Sequence, residues 1–301
     1  MIERRAITSI QLWLEWRRSF LCASEVAAAA GIDEYRSALA LYAEKLGLTS
    51  VVETPIMRRG RHFEAAAASY LMEERDDWRV QRQHVFIMDT ERRLACTPDC
   101  LAEVPGYNGI CNVQIKTVSQ PKFDEWHGVP PVGYTLQVAC ENMLIDAAHG
   151  FLAVLSVSTY EASLHLFDVP RHAGAEEKLA GLADGFWKNI EAARLPKPDY
   201  RLDADTIAAM HPHAVKGETI DLSGDNRLAE ILPYRLQLKD RLKADGEELQ
   251  ALDAEIREKV GDAEEAQFPG WKITCRDQSR MAYTVPEWRG RVLRVSERGK
   301  E

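Results

Sequence analysis

The sequence predicts an α/β (α+β) protein in which helices flank a central mixed β-sheet, and three observations carry that expectation. Apolar residues recur at helical spacing through Ile10 to Phe20, Tyr35 to Leu46 and the stretch that begins near Pro55. Short apolar runs, with Gly, Pro and Asn between them, then crowd the region from Gln83 to Thr117. A further helical stretch, Tyr134 to Ile145, leads into the strand pair Phe151 to Val157 and Leu164 to Val169.

Each element has a local reason. Ser24 is read as the N-cap of an alanine-rich turn run that ends at Gly31. Gly47 is a natural C-cap for the helix Tyr35 to Leu46, and the next helix carries Phe63, Glu64, Ala67, Tyr70 and Leu71. Gln83 to Met88, Leu94 to Cys96, Asp99 to Ala102 and Ile110 to Thr117 read as a meander. Glu176 to Ala193 is a long closing helix, and Leu195, Pro196, Lys197 and Pro198 mark the end of a core placed at residues 1–200.

Residues 201–301 form a C-terminal helix and hairpin appendage. Leu238, Leu242, Leu249, Leu252 and Ile256 alternate four- and three-residue steps, with Asp245 interrupting one position, so this helix has a coiled-coil-like stripe that should pack on another helix or subunit. Trp271 to Cys275 and Met281 to Val285 read as a hairpin with Arg276 to Arg280 at its tip.

The apolar share of 46% indicates a globular chain, and no apolar run approaches the roughly 20 residues of a spanning helix. The start lacks a signal-peptide apolar region, so a soluble, cytoplasmic protein is expected. Six cysteines without CxxC spacing suit free thiols in a reducing compartment, and no histidine arrangement suggests zinc. Trp187 and Trp271 sit where ordinary packing explains them. The net charge of −9 excludes a protein that coats nucleic acid by bulk electrostatics, yet a local funnel is possible. Arg58, Arg59, Arg61, Arg79, Arg82, Arg92 and Arg93 are expected to gather at the site.

The site itself begins with Pro98 and Asp99. If their strand neighbours Val113 to Lys116 across the turn-rich segment Pro105 to Gly109, then Asp99, Gln114 and Lys116 converge, the last two projecting from one strand face. An acid, an oxygen ligand and a fixed cation at one sheet end suit metal-assisted phosphodiester cleavage. Magnesium keeps several waters, so one or two carboxylates suffice to hold it. Lys116 would orient the attacking water or stabilise charge building on the phosphate. Tyr134 and Gln137, about one helical turn apart, can face the same cleft.

In their order, Arg17 and Ser24, Gly60 with Glu64, Pro98 with Asp99, Gln114 to Lys116, and Tyr134 with Gln137 resemble the YqaJ-type viral recombinase family, which includes phage lambda-type exonucleases of the PD-(D/E)xK superfamily. The likeness runs from roughly Trp13 to Pro198. It implies a restriction-endonuclease-like core and an Mg2+-dependent DNA exonuclease, with Mn2+ an acceptable substitute. Such an enzyme digests duplex ends 5′ to 3′ to expose 3′ single strands. It also implies Glu64 beside Asp99 and Gln114 as metal ligands, Arg17 (or its neighbour Arg18), Ser24 and Tyr134 as phosphate contacts, a ring-like homo-oligomer, and a single-strand annealing protein as partner.

Gln114 departs from the glutamate that most relatives place there. A glutamine offers a neutral amide oxygen, so metal affinity should fall. Natural tolerance, a glutamate-to-glutamine change made to trap a complex, and a catalytically silent DNA-end-binding protein are the three explanations, in that order.

Overall fold

The computed structural model describes every residue except 52, 283, 285, 286, 288, 289 and 296–301. Two compact units divide it, Met1–His211 and Pro212–Glu301. The first runs β1 (Ile2–Ala6), α1 (Ile10–Ser19), β2 (Leu21–Cys22), a 3-10 turn (Ala23–Glu25), α2 (Val26–Ala29), α3 (Ala38–Lys45) and α4 (Pro55–Glu74). There follow β3 (Arg79–Arg82), β4 (Val85–Asp89), β5 (Leu94–Cys96), β6 (Cys100–Glu103) and β7 (Ile110–Ser119). The unit closes with α5 (Gln120–Asp124), α6 (Val132–Ile145), β8 (His149–Val157), β9 (Ala162–Val169), α7 (Ala173–Glu191) and α8 (Ala204–Met210). Side chains cap α1, α3 and α4: Ser9 Oγ accepts from Leu12 N at 3.2 Å, Ser37 Oγ from Ala40 N at 2.9 Å, and Thr54 Oγ1 from Met57 N at 3.2 Å, ahead of Pro55.

The expected mixed sheet flanked by helices is present, joined by a second, smaller one. Five strands run in the order β3-β6-β7-β8-β9, with β7 and β8 parallel and the other pairs antiparallel. A parallel neighbour needs a crossover, which α5 and α6 supply. Four more strands run β1-β4-β5-β2. The strand expected over Gln83 to Met88 starts two residues late, as β4, while β3, which had no expectation, belongs to the other sheet, and Gln83 N bonds Asp99 O at 2.9 Å between them. The expected meander splits into two hairpins, because β4 and β5 pair in one sheet and β6 and β7 in the other. β1 had no expectation because its charged run Glu3, Arg4 and Arg5 lacks strand patterning, yet it pairs with β4 at the sheet edge.

Odd-numbered residues of β7, Cys111, Val113 and Ile115, pack with Ala67, Ala68 and Leu71 of α4. The even face meets α6. β8 is buried almost throughout, as an inner parallel strand should be, and Gly150 lets α6 come close: a Cβ there would run into Asn142 and Val138. Asn142 instead bonds Val169 O at 3.0 Å across that gap.

Ser24 is not a helix N-cap. It sits inside the 3-10 turn, and the short helix α2 starts from Glu25. Glu25 is the turn's anchor, buried with its carboxylate 2.6 Å from Arg17 Nη2, 2.5 Å from Lys45 Nζ and 2.9 Å from Cys22 N. Burial alone would push this carboxyl up, but Arg17, Lys45 and Arg36 together hold it below its ordinary value.

In the second unit α9 (Asn226–Val260) carries the stripe, and β10 (Glu265–Phe268) pairs antiparallel with β11 (Trp271–Thr274) around Pro269 and Gly270. The late hairpin is thus shifted upstream, because Gly270 adopts the positive φ that a tight turn needs. Met281 and Ala282 are not strand, and Tyr283 and Val285 lie outside the described residues. Trp271 is exposed, against the expectation that packing explains it. All six cysteines are free thiols, five of them buried. No helix among the described residues is long and apolar enough to cross a membrane.

Removing a buried carboxylate that holds cations strands their charge. Glu25→Ala is expected to cost about 3–5 kcal/mol of stability, read as a shift in the urea midpoint, with Glu25→Gln losing less. A loss under about 1 kcal/mol would show that the cluster does not anchor the turn.

Candidate active site

Antiparallel register opposes Cys100 to Val113, so Asp99, one residue before β6, faces Gln114. Ile115 N donates to Asp99 Oδ2 at 2.8 Å, and Gln114 Nε2 donates to the same oxygen. Gln114 Oε1 is buried with no hydrogen-bond partner. Burial pushes the Asp99 carboxyl up to about 7; Lys116 opposes the rise and Glu64 adds to it. Asp99 keeps part of its surface open to solvent.

Lys116 lies two residues further along the even face. Its Nζ donates to Gln137 Oε1 at 2.9 Å and stands 5.3 Å from the Tyr134 ring centroid, a cation–π contact. Lys116, Tyr134 and Gln137 line a cleft of about 430 Å³ that Ser24 also lines, while Asp99 and Gln114 do not. Glu64 comes from α4 and is engaged elsewhere, its Oε1 accepting from Arg82 Nη2 at 3.1 Å. The structure thus brings Asp99, Gln114, Lys116, Gln137 and Tyr134 together, with Glu64 near enough to act on Asp99 by charge alone. Among the described residues no three His, Cys, Asp or Glu side chains form a metal-binding group.

Of the seven arginines expected at the site, only Arg82 acts on it. Arg58 and Arg61 pair with Glu53, Arg79 with Glu103 and Arg92 with Asp89, Arg93 stacks 3.5 Å from the Trp187 ring, and Arg59 lies over Phe63. A charged residue near the site in sequence is recruited by the nearest carboxylate or ring, not by the site. Arg17 Nη2 does reach Ser24 Oγ at 3.4 Å, though its stronger partner is Glu25. Because Ser24 is not a helix N-cap, it brings no helix-terminus N–H groups to a phosphate contact. What remains is local charge: Arg17, Arg36 and Lys45 stand against Glu25 and Glu44, a surplus of one cation.

Two residues that the sequence reading passed over complete the network. Glu141, one turn after Gln137 on α6, accepts from Gln137 Nε2 at 2.9 Å and from Asn112 Nδ2 at 3.0 Å. Burial pushes the Glu141 carboxyl up to about 8, and the charge of Asp99 adds to the rise. The signal was available: Asn112, Gln114 and Lys116 share the period of two on one strand, and Gln137 and Glu141 share the period of four on one helix. Because Glu141 occupies the amide nitrogen of Gln137, the amide oxygen is left to face Lys116.

A mixed sheet with an acid, an amide and a lysine at one end of its β6–β7 pair defines a restriction-endonuclease-like core. Residues 12–145 match the model of the YqaJ-like viral recombinase domain, in agreement with the resemblance read from the sequence. The alkaline exonuclease LHK-Exo from Laribacter hongkongensis has the same fold, at 17% identity and a TM-score of 0.50, over 66% of this chain and 100% of that one. LHK-Exo in complex with dAMP gives a TM-score of 0.49 at 17% identity, over 65% of this chain and 98% of that one. A phage-related exonuclease from Haemophilus somnus is also similar, at 10% identity and a TM-score of 0.41, over 58% and 96% of the two chains. No curated protein matches the chain.

Glu141 links stability to pH. Its folded value of about 8 lies above that of an unfolded glutamate, so the stability it contributes is full at low pH and is lost as pH rises from about 4 to about 8. The charged groups facing it are Asp99, which adds to the shift, and Lys116, which opposes it. Glu141→Gln is expected to flatten the unfolding free energy between pH 5 and pH 8 by up to about 1.4 kcal/mol per unit, as followed by denaturant titration. An unchanged slope would mean that Glu141 is ionised in the folded protein.

Proposed function

We propose that the chain is a divalent-metal-dependent DNA exonuclease of phage-type recombination, digesting duplex ends 5′ to 3′ and exposing 3′ single strands. The observation that carries this reading is the convergence of Asp99, Gln114 and the Lys116–Gln137 pair within a YqaJ-like domain. The residues fit a divalent cation. It would offset the burial that drives Asp99 up to about 7, and would give the orphaned Gln114 Oε1 a partner. Asp99 and Gln114 would hold it, once the Gln114 amide turns its oxygen toward Asp99 and Glu64 is released from Arg82. When bound, Mg2+ or Mn2+ lowers the pKa of a water and offsets phosphate charge.

The chain's own groups do the rest. Gln137 fixes the Lys116 ammonium, which is placed to orient the attacking water or to offset charge building on the phosphate. Arg17 and Ser24 bind a 5′ phosphate, and Tyr134 contacts the backbone from the cleft wall. The resemblance supports a ring-like homo-oligomer acting with a single-strand annealing protein, and supports residues 1–200 as the nuclease core with residues 201–301 as its appendage. Free thiols suit work in the cytoplasm.

A second reading, a silent DNA-end binder, draws support from the neutral Gln114, whose amide nitrogen is turned to Asp99. Plasmid and linear duplex incubated with Mg2+ or Mn2+ separate the two. The chain as it stands is expected to degrade linear duplex and spare the circle, with Gln114→Glu faster and Asp99→Ala inactive and without a calorimetric metal-binding signal. Lys116→Ala should slow cleavage by about 10²–10³-fold. Activity seen only in Gln114→Glu would select the silent reading.

The 5′-phosphate contact is tested separately. Ser24→Ala, which leaves the Glu25 cluster intact, and Arg17→Ala should both reduce the preference for 5′-phosphorylated over unphosphorylated ends, by about tenfold or more for Arg17→Ala. Equal loss on both kinds of end would count against it.

A further inference from the structure

The C-terminal half of the α9 stripe stands in solvent, with Leu242 70% exposed, Leu249 60% and Leu252 51%, while Leu228, Arg235 and Leu238 in its N-terminal half are half-buried. Extended toward the N-terminus at the same four- and three-residue steps, it runs Leu228, Ile231, Arg235, Leu238, Leu242, Asp245, Leu249 and Leu252. Two of these eight positions carry charge, Arg235 and Asp245, and they are ten residues apart. Arg235 Nη1 is buried without a hydrogen-bond partner in its own chain. Asp245 is exposed.

We propose that α9 pairs with α9 of a second copy as an antiparallel two-helix coil in which Arg235 of each chain meets the partner's Asp245. The evidence for the second copy is that the stripe is complementary to its own reverse. Centred beside Asp240, the antiparallel arrangement sets Leu228 against the partner's Leu252, Ile231 against the partner's Leu249, and Leu238 against the partner's Leu242. Every remaining layer is then an Arg235–Asp245 pair. Sliding the partner by one heptad in either direction places both charged residues against leucine. A parallel in-register pair faces Asp245 with Asp245 and Arg235 with Arg235. Both alternatives bury uncompensated or like charge, which is how a polar core position selects register and orientation.

The rest of the helix agrees. Pro233 occupies the heptad position that faces away from the seam, so its missing N–H and its ring fall outside the contact. Lys239 and Arg241 come near their own symmetry mates, but at the exposed flanks, where water screens the repulsion. The overlap from Leu228 to Leu252 is about 37 Å of helix, long enough for a stable coil. This pairing stands independently of the nuclease reading.

Full-length chains test it by cross-linking, with Cys275→Ser removing the exposed thiol. Ile231→Cys and Leu249→Cys proteins are purified separately, mixed and oxidised. The expected product is the 231-to-249 disulfide, with little of either homotypic product. Predominant homotypic products would mean parallel pairing, and no product would mean that the stripe does not pair with itself; either overturns the proposal. Charge reversal gives a second readout by sedimentation. Arg235→Asp or Asp245→Arg alone should weaken the helix-borne association at least about thirtyfold, and the exchanged double variant should restore it. A double variant as weak as the singles would refute the assigned register even if both fold.

Discussion

The structure turns on one strand that must be apolar on one side and polar on the other while both sides are buried. β7 lays Cys111, Val113 and Ile115 under α4 and presents Asn112, Gln114 and Lys116 to α6. Polar groups removed from water are costly unless they bond one another, so the even face dictates what α6 can carry. Glu141 answers Asn112, Gln137 answers both Glu141 and Lys116, and Asp99 answers Gln114 and the backbone of Ile115. The fold and the candidate site are therefore one arrangement: a parallel crossover is what brings α6 over that face.

Much of this was legible because it is periodic and local. The two-residue spacing of Gln114 and Lys116 fixed a shared face, and the turn-rich segment before them placed Asp99 opposite. Helices with a cap and an apolar stripe, such as α3 and α4, announced themselves. What was illegible depended on partners distant in sequence. Nothing local says that the chain changes sheets at Gln83, that Ser24 lies in a 3-10 turn governed by a buried Glu25, or that Arg92 and Arg93 are claimed by Asp89 and Trp187. Glu141 was legible only in combination: a lone acid on an apolar helix looks like a surface residue until its spacing from Gln137 is set beside that of Asn112 from Gln114.

The electrostatics fit a protein that concentrates rather than spreads its positive charge. With a net charge of −9, the arginines expected at the site, Arg59 apart, each have a carboxylate within 4 Å, and a surplus of one cation sits by Arg17, Lys45 and Arg36, next to Ser24 on the cleft. In the nuclease reading proposed above, such a surface would engage a phosphate terminus rather than the length of a duplex.

Gly150 acts as a spacer by having nothing to insert. Because β8 offers no methyl beneath Asn142 and Val138, α6 descends until its amide and acid can touch the strand beside β8. The reach of Gln137 to Lys116 is thereby gauged by an atom that is not there, on a strand that contributes no reactive group of its own.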